Sequence, residues 1–310
     1  MEEIKIFAPA SVANVSCGFD VLGFCLSPVG DEMVLRKTAE TGLRISKIEG
    51  QDLPMAVEKN VAGVAAQALL KAYAAPPSGF EIEIYKKIKP GSGIGSSAAS
   101  AAGAVFGINE LLGRPYSPKE LIKFAMEGEK MASGTPHADN VAPVLLGGFT
   151  LVRCSSEPDV IKLPVPEELI ATVIHPKIEL KTAHARSVLK QQIALEDAIS
   201  QWGNLAGLVS GLYENDYERI SKCLVDKIVE PYRALLIPGF KELKTGAQDS
   251  GALGCGISGS GPSVYALSRG EKIAKSVADS FSEVLSKVGI DFETHISPIN
   301  TQGIRILEER

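Results

Sequence analysis

Pro90 to Ser100 read P-G-S-G-I-G-S-S-A-A-S, with glycine at 91, 93 and 95 and then a run of serine and alanine. Upstream, Phe80 to Ile88 alternates Phe80, Ile82 and Ile84 with Glu81 and Glu83, the pattern of a half-buried strand. Downstream, small residues from Ser96 to about Leu112 predict a slim helix, with Gly113 as its terminator. A strand, a glycine loop and a helix start make an anion site. The glycines let the backbone approach a ligand, and the helix end offers free N–H groups and a positive dipole. A tight turn packed on small residues would use the same glycines, but their density directly before a helix favours phosphate. The segment lacks the G-K-[ST] of a Walker loop. Lys87 and Lys89 precede it and supply charge from another direction.

Working outward, Ile4 to Ala8 predicts a first strand stopped by Pro9, and Asp31 to Ile48 carries the alternation of hairpin strands. Val61 to Tyr73 predicts an Ala-rich helix, followed by a turn at Pro76–Pro77–Ser78–Gly79. Ser117–Pro118–Lys119–Glu120 is a capping box that opens a helix to about Met131. The loop S-G-T-P-H-A-D-N leads into an apolar segment, Val141 to Val152, that predicts strands around Gly147–Gly148. The Pro/Glu-rich stretch near Leu163 to Glu168 divides the chain into domains 1–163 and 164–310. Beyond it come a strand at Ile170–Ile174, a long helical region from Ser187 to Tyr213 and a strand at Val264–Leu267. An amphipathic helix at Glu271–Val288 and a strand at Asp291–Ile296 follow. Strands and helices mix without strict alternation, so the fold class is α+β.

Composition narrows the function classes. The chain has 310 residues, 45% hydrophobic and 22% charged, with a formal net charge of −5. No basic run offers a footprint for nucleic acid, and no apolar run is long enough for a bilayer. Five cysteines, Cys17, Cys25, Cys154, Cys223 and Cys255, show no C-x-x-C spacing and suit reduced thiols. The N-terminus is acidic where a signal peptide is basic. A cytoplasmic location without membrane or nucleic-acid partners is expected.

A literal G-x-G-x-x-G at Gly254, Gly256 and Gly259 is followed by a strand rather than a helix, which excludes a dinucleotide fingerprint. It belongs instead with two other motifs. P-A-S-V-A-N-V-S-C-G-F-D at Pro9–Asp20, the Pro90–Ser100 loop, and G-C-G-I-S-G-S-G-P-S at Gly254–Ser263 together resemble the three motifs of the GHMP kinases, in order and spacing. The finer resemblance is to that family's homoserine kinases. Their first motif more usually reads P-A-T-S-A-N-L-G-P-G-F-D, and this chain keeps Asn14, Gly18, Phe19 and Asp20.

The resemblance implies a two-domain architecture, with an N-terminal nucleotide-binding α+β domain and a C-terminal ferredoxin-like α+β domain. It also implies transfer of phosphate from ATP to the side-chain hydroxyl of L-homoserine, on the way to threonine, with Mg2+ as cofactor and a homodimer as the assembly. Asn60, Lys89, Pro90, Gly91, Ser92, Gly93, Ile94, Gly95, Ser96, Ser97, Ala98 and Ala99 would form the ATP site, with Ser97 and Glu129 on the metal. Asn14, Asp20, His137, Thr182, Arg186 and Arg233 would hold the substrate. The two arginines would take its carboxylate through bidentate guanidinium forks, and Asp20 its ammonium. Asn14, Asp20 and Asn140 would form the catalytic set, and Gly259, Ser260 and Gly261 a structural glycine motif. Asn140 stands where several relatives have an aspartate, and an amide cannot accept a proton. The hydroxyl would then lose its proton late, with Asp139 as the rival base. Asn60 could equally cap the helix that follows it, and Cys17 is read as a packing residue.

Overall fold

A computed structural model describes residues 1–73, 76 and 78–310. The first half runs β1 (Glu3–Ala13), β2 (Leu22–Thr38), β3 (Leu43–Glu49), α1 (Val61–Tyr73) and β4 (Gly79–Tyr85). It continues with α2 (Ser96–Leu111), α3 (Pro118–Ser133), α4 (Ala138–Leu146), β5 (Phe149–Cys154) and β6 (Asp159–Leu163). The second half runs β7 (Leu169–Pro176), α5 (Thr182–Ser187), α6 (Leu195–Glu214), α7 (Tyr217–Cys223), α8 (Glu230–Arg233) and α9 (Phe240–Asp249). Then come β8 (Gly254–Ile257), β9 (Val264–Arg269), α10 (Glu271–Val288), β10 (Phe292–Pro298) and β11 (Arg305–Glu309).

The first sheet has the order β11-β1-β2-β4-β3, with β5 paired to β2 and β6 to β5. Helices α1, α2 and α3 pack on one another, and α2 lies on β1 and β2. Ala98, Ala99, Ala101 and Ala102 of α2 are fully buried, so the helix that follows the glycine loop sits deep in the core. The second sheet is antiparallel in the order β10-β7-β9-β8. With its crossover helices this is the 4-1-3-2 arrangement of a ferredoxin-like unit, and α10 packs on β7, β9 and β10.

Several elements differ from the sequence expectation. Pro9 does not stop β1, because a register shift between Pro9 and Ser11 absorbs it and pairing with β2 resumes at Ser11–Cys25. β2 and β3 are not hairpin partners. β4 lies between them, and β3 runs parallel to it at the sheet edge. The segment from Val141 is helical as far as Leu146, and only then becomes β5. A short apolar run buried on most sides carries no period that separates the two states. The long helical region from Ser187 breaks, with α5 ending at Ser187 and α6 starting at Leu195. Of the turn at Pro76–Gly79, Pro77 lies outside the described residues. Leu163 ends β6 and Leu169 opens β7, but the chain's last strand crosses back to pair with β1, so residues 164–310 are not a self-contained unit.

Candidate active site

The burial period along Phe80, Ile82 and Ile84 continues past the end of β4 to Lys86 and Ile88. Lys86 therefore points inward. Its ammonium donates to the Asp31 carboxylate, to Ser96 O at 2.9 Å and to Ser100 Oγ at 3.0 Å. Asp31 accepts in turn from the backbone N–H of Lys87 (2.7 Å) and Ile88 (2.9 Å). Burial pulls the Lys86 pKa down, while the Asp31 charge and hydrogen bond oppose it. One buried ion pair thus fixes both the strand end and the first turn of α2, with the glycine loop strung between them.

Gly95 is the N-cap of α2 at φ 72°, and no side chain caps the helix. Its first-turn N–H groups are left for a ligand. A Cβ at Gly95 would lie 2.0 Å from Ser11 Oγ, and one at Gly93 (φ 83°) 2.6 Å from Gly261 O. The loop therefore touches the first and third motifs closely. Ser11 N–H donates to Ile94 O (3.1 Å), and Ser258 Oγ to Gly93 O (2.7 Å). Ser263 donates to Ser92 O through its hydroxyl (2.6 Å). Asn14 Nδ2 donates to Gly259 O (2.6 Å), and Gly259 N–H returns a bond to Ala13 O (3.1 Å).

A cleft of about 330 Å³ opens beside this junction. Pro90, Gly91, Gly93, Gly95, Ser96 and Ser97 line it, joined by Lys86, Glu129, His137, Asn140, Thr182, Gly259 and Ser260. Ser92 and Ile94 turn inward and contribute carbonyls to the loop's anchorage, and Ala98 and Ala99 pack inside α2. Lys89 is exposed and outside the lining, while Lys87 pairs with Glu32 on the surface. Asn60 caps α1 by accepting from Ala62 N–H (3.0 Å) and ties down Pro54 O (2.8 Å), so both ends of its side chain are spent. The cleft wall there consists of Leu53 and Val61.

Glu129 on α3 is hydrogen-bonded to Ser97, and burial pushes its pKa up to about 7 against the pull of Ser97 and Lys86. Ser11 Oγ donates to Asn140 Oδ1 (2.8 Å), which fixes the amide and leaves its Nδ2, a donor, on the cleft wall. Asp139 is buried behind the cleft with Oδ1 lacking a partner. Burial first, then the charges of Asp20 and Glu129, push its pKa up to about 7.

The far end of the site is built on a strained loop. Asn14, Val15, Ser16 and Asp20 have φ between 36° and 72°, a region costly for side-chain-bearing residues and worst for a β-branched one. Asn14 Oδ1 accepts from Asp20 N–H (3.0 Å), and Ser16 Oγ bonds the buried Tyr265 hydroxyl (2.8 Å). Asp20 is gripped by Arg186 NH2 at 2.6 and 2.9 Å. His137 lies between them, with Nε2 3.3 Å from Arg186 NH2 and Nδ1 3.6 Å from Asp20 Oδ1. Burial lowers its pKa, so the ring is neutral at pH 7. Arg233 is buried, donating to Ala185 O and Gly259 O at 3.0 Å each, and burial lowers its pKa to about 10. Phe19, for which the sequence suggested no role, stacks against both guanidiniums with its centroid 5.5 Å from Arg186 and 5.0 Å from Arg233. Thr182 meets Ser260 at 3.3 Å. Cys17 is buried with its pKa pushed up to about 12, which makes it a packing residue rather than a nucleophile.

An uncapped helix behind a glycine loop, joined to a pocket with an anion and two guanidiniums, defines a small-molecule kinase with a charged acceptor. Sequence comparison agrees. Residues 59–148 match the profile described as GHMP kinases N terminal domain, and residues 208–287 match GHMP kinases C terminal. A homoserine kinase of Chlorobium phaeobacteroides is 43% identical over 99% of this chain and 100% of its own. One from Chloroherpeton thalassium is 44% identical at the same coverage. The crystal structure of a homoserine kinase from Cytophaga hutchinsonii superimposes with a TM-score of 0.95 at 48% identity, over 99% of this chain and 98% of that one. The L. major mevalonate kinase, at 16% identity and a TM-score of 0.70, shares the fold. The chain belongs to the homoserine kinases of the GHMP kinase family.

Proposed function

We propose that the protein transfers the γ-phosphoryl group of ATP to the side-chain hydroxyl of L-homoserine, releasing ADP and O-phospho-L-homoserine. The observation that carries this reading is the meeting of Asp20, Arg186 and Arg233 around Phe19, in contact with His137 and Gly259, which line the cleft that runs to the uncapped N-terminus of α2. An amino acid with a hydroxylated side chain presents a carboxylate, an ammonium and an alcohol. The carboxylate suits Arg186 and Arg233, the ammonium suits Asp20, and the alcohol then points toward the phosphate loop. Asp20 and Arg186 pair with each other, and a ligand bearing both a carboxylate and an ammonium would exchange that one ion pair for two. A ligand with a single charge leaves one partner behind.

Phosphoryl transfer passes through a loose transition state, so the protein's contribution is position and charge. Loop amides and the α2 dipole hold the polyphosphate, and Asn140 Nδ2 donates toward the transferred group. Ser97 and Glu129 are adjacent hard-oxygen donors that fit Mg2+. When bound, it would neutralise phosphate charge. Because Asn140 cannot accept a proton and Asp139 lies behind the wall, the hydroxyl proton passes late to a phosphoryl oxygen. The reaction is placed in the cytoplasm, where five free cysteines persist. The test is ADP release from Mg-ATP with L-homoserine, mevalonate, shikimate and galactose in parallel. Turnover with L-homoserine alone is expected, and turnover with another alcohol instead would overturn the pocket assignment.

A further inference from the structure

We infer that Gln201 is a positioning residue for the acceptor pocket. Its buried amide fixes the Asp20 loop against the helix that carries Arg233, and so sets the separation at which an ammonium and a carboxylate are read together. That role rests on the function proposed above. Gln201 lies on the inner face of α6 and is 6% exposed. Its Nε2 donates to Cys17 O (3.2 Å) and to Asp226 Oδ1 (2.9 Å), and its Oε1 accepts from Lys227 N–H (2.9 Å). Both amide protons and the carbonyl are engaged.

Each partner leads to one half of the pocket. Cys17 stands between Ser16, at φ 55°, and Asp20, at φ 60°. A loop held in the left-handed region persists only when its surroundings over-determine it. Asn14 ties one end to Gly259 O, Ser16 bonds the Tyr265 hydroxyl, and Gln201 takes the carbonyl of Cys17. Asp226 leads to the other half. Besides the Gln201 amide, its carboxylate accepts from the backbone N–H of Ile228 (2.9 Å), Val229 (3.0 Å) and Glu230 (3.0 Å), the turn that opens α8. Arg233 is the last residue of that short helix. Phe19, two residues beyond Cys17, lies under the Arg233 guanidinium with its centroid 5.0 Å away, so a shift of either segment moves both. The node requires an amide. It donates to a carbonyl and a carboxylate and accepts from an N–H. A carboxylate there would oppose Asp226 and Cys17 O, and an ammonium could not accept from Lys227. Gln201 does not line the cleft, so it acts on a ligand only through the two segments that it joins.

The test is steady-state kinetics in both substrates on the full chain, with thermal unfolding alongside. Gln201→Met keeps the length and loses the donors and the acceptor. Its kcat/KM for L-homoserine should fall about tenfold, the worth of one or two buried hydrogen bonds, while KM for ATP stays within about twofold. Should that variant not fold, Asp226→Asn decides. It keeps Oδ1, which serves Gln201, Ile228 and Val229, loses the acceptor for Glu230 N–H, and should lower the same parameter about threefold. Thr172→Val is the structural control. It removes a buried hydroxyl that donates to Ala274 O (3.0 Å) in the second sheet, and should lower Tm with kcat/KM for L-homoserine unchanged. An unchanged kcat/KM in folded Gln201→Met, a KM for ATP that rises equally, or a loss matched by Thr172→Val would overturn the proposal. A wild type that turns over a different alcohol overturns the proposed function instead, and Gln201 is then judged on that alcohol.

Discussion

Asp20 and Arg186 hold each other beside the cleft, and on the proposed function that pair is where residue-scale chemistry would decide specificity. Arg186→Met removes a bidentate partner for a carboxylate and should raise KM for L-homoserine by about 10²-fold, with KM for ATP little changed. Steady-state kinetics in both substrates checks the split. Asp139 gives a pH prediction. Its pKa rises from the ordinary 3.8 to about 7 on folding. Between those values the unfolded chain ionises while the folded chain stays protonated, so native stability falls as pH rises through that window. Asp139→Asn removes the group. Its Tm relative to wild type should therefore move in the variant's favour from pH 5 to pH 8, while turnover persists. Loss of turnover with both ligands still bound would instead make Asp139 the base.

At the scale of elements, the phosphate loop is a taut connection whose two ends are pinned by Lys86 and Asp31. Lys86→Met leaves a buried carboxylate without its cation and should cost about 3–5 kcal/mol. Lys86→Met/Asp31→Asn should recover much of that loss, as denaturant unfolding would show. Gly95→Ala would force a Cβ to within 2.0 Å of Ser11 Oγ at a left-handed φ, and should abolish nucleotide binding by calorimetry. Much of this was legible in the sequence. Alternation ahead of the loop, glycine at every second position and small residues beyond it specify strand, turn and buried helix. The alternation also held a signal that the lysines obscured. Lys86 continues the inward register of Phe80, Ile82 and Ile84, whereas Lys87 and Lys89 do not face the loop. A charged residue in an apolar register breaks no rule of periodicity, and only Asp31, 55 residues away in sequence, shows why it is there. α4 escaped for the opposite reason, since its burial on most sides leaves no stripe to read.

Across the whole molecule, the three motifs act as one object because Asn14 and Ala13 bond Gly259 while Ser258 and Ser263 donate to Gly93 O and Ser92 O of the loop. The junction joins both sheets around the cleft, and β11 returns from the second half to β1. Motif order in the sequence pointed to that junction, but its hydrogen bonds span some 245 residues and belong to tertiary structure alone. The path of β11 is likewise a property of the folded chain. On the proposed function, this junction aims an amino-acid alcohol at a nucleotide phosphate. This is tested most directly by incubating the protein with Mg-ATP and L-homoserine and following phosphorus by NMR. A new phosphomonoester signal coupled to the terminal side-chain methylene, growing in step with ADP, is expected. Inorganic phosphate alone, or phosphate carried on the carboxylate, would contradict it.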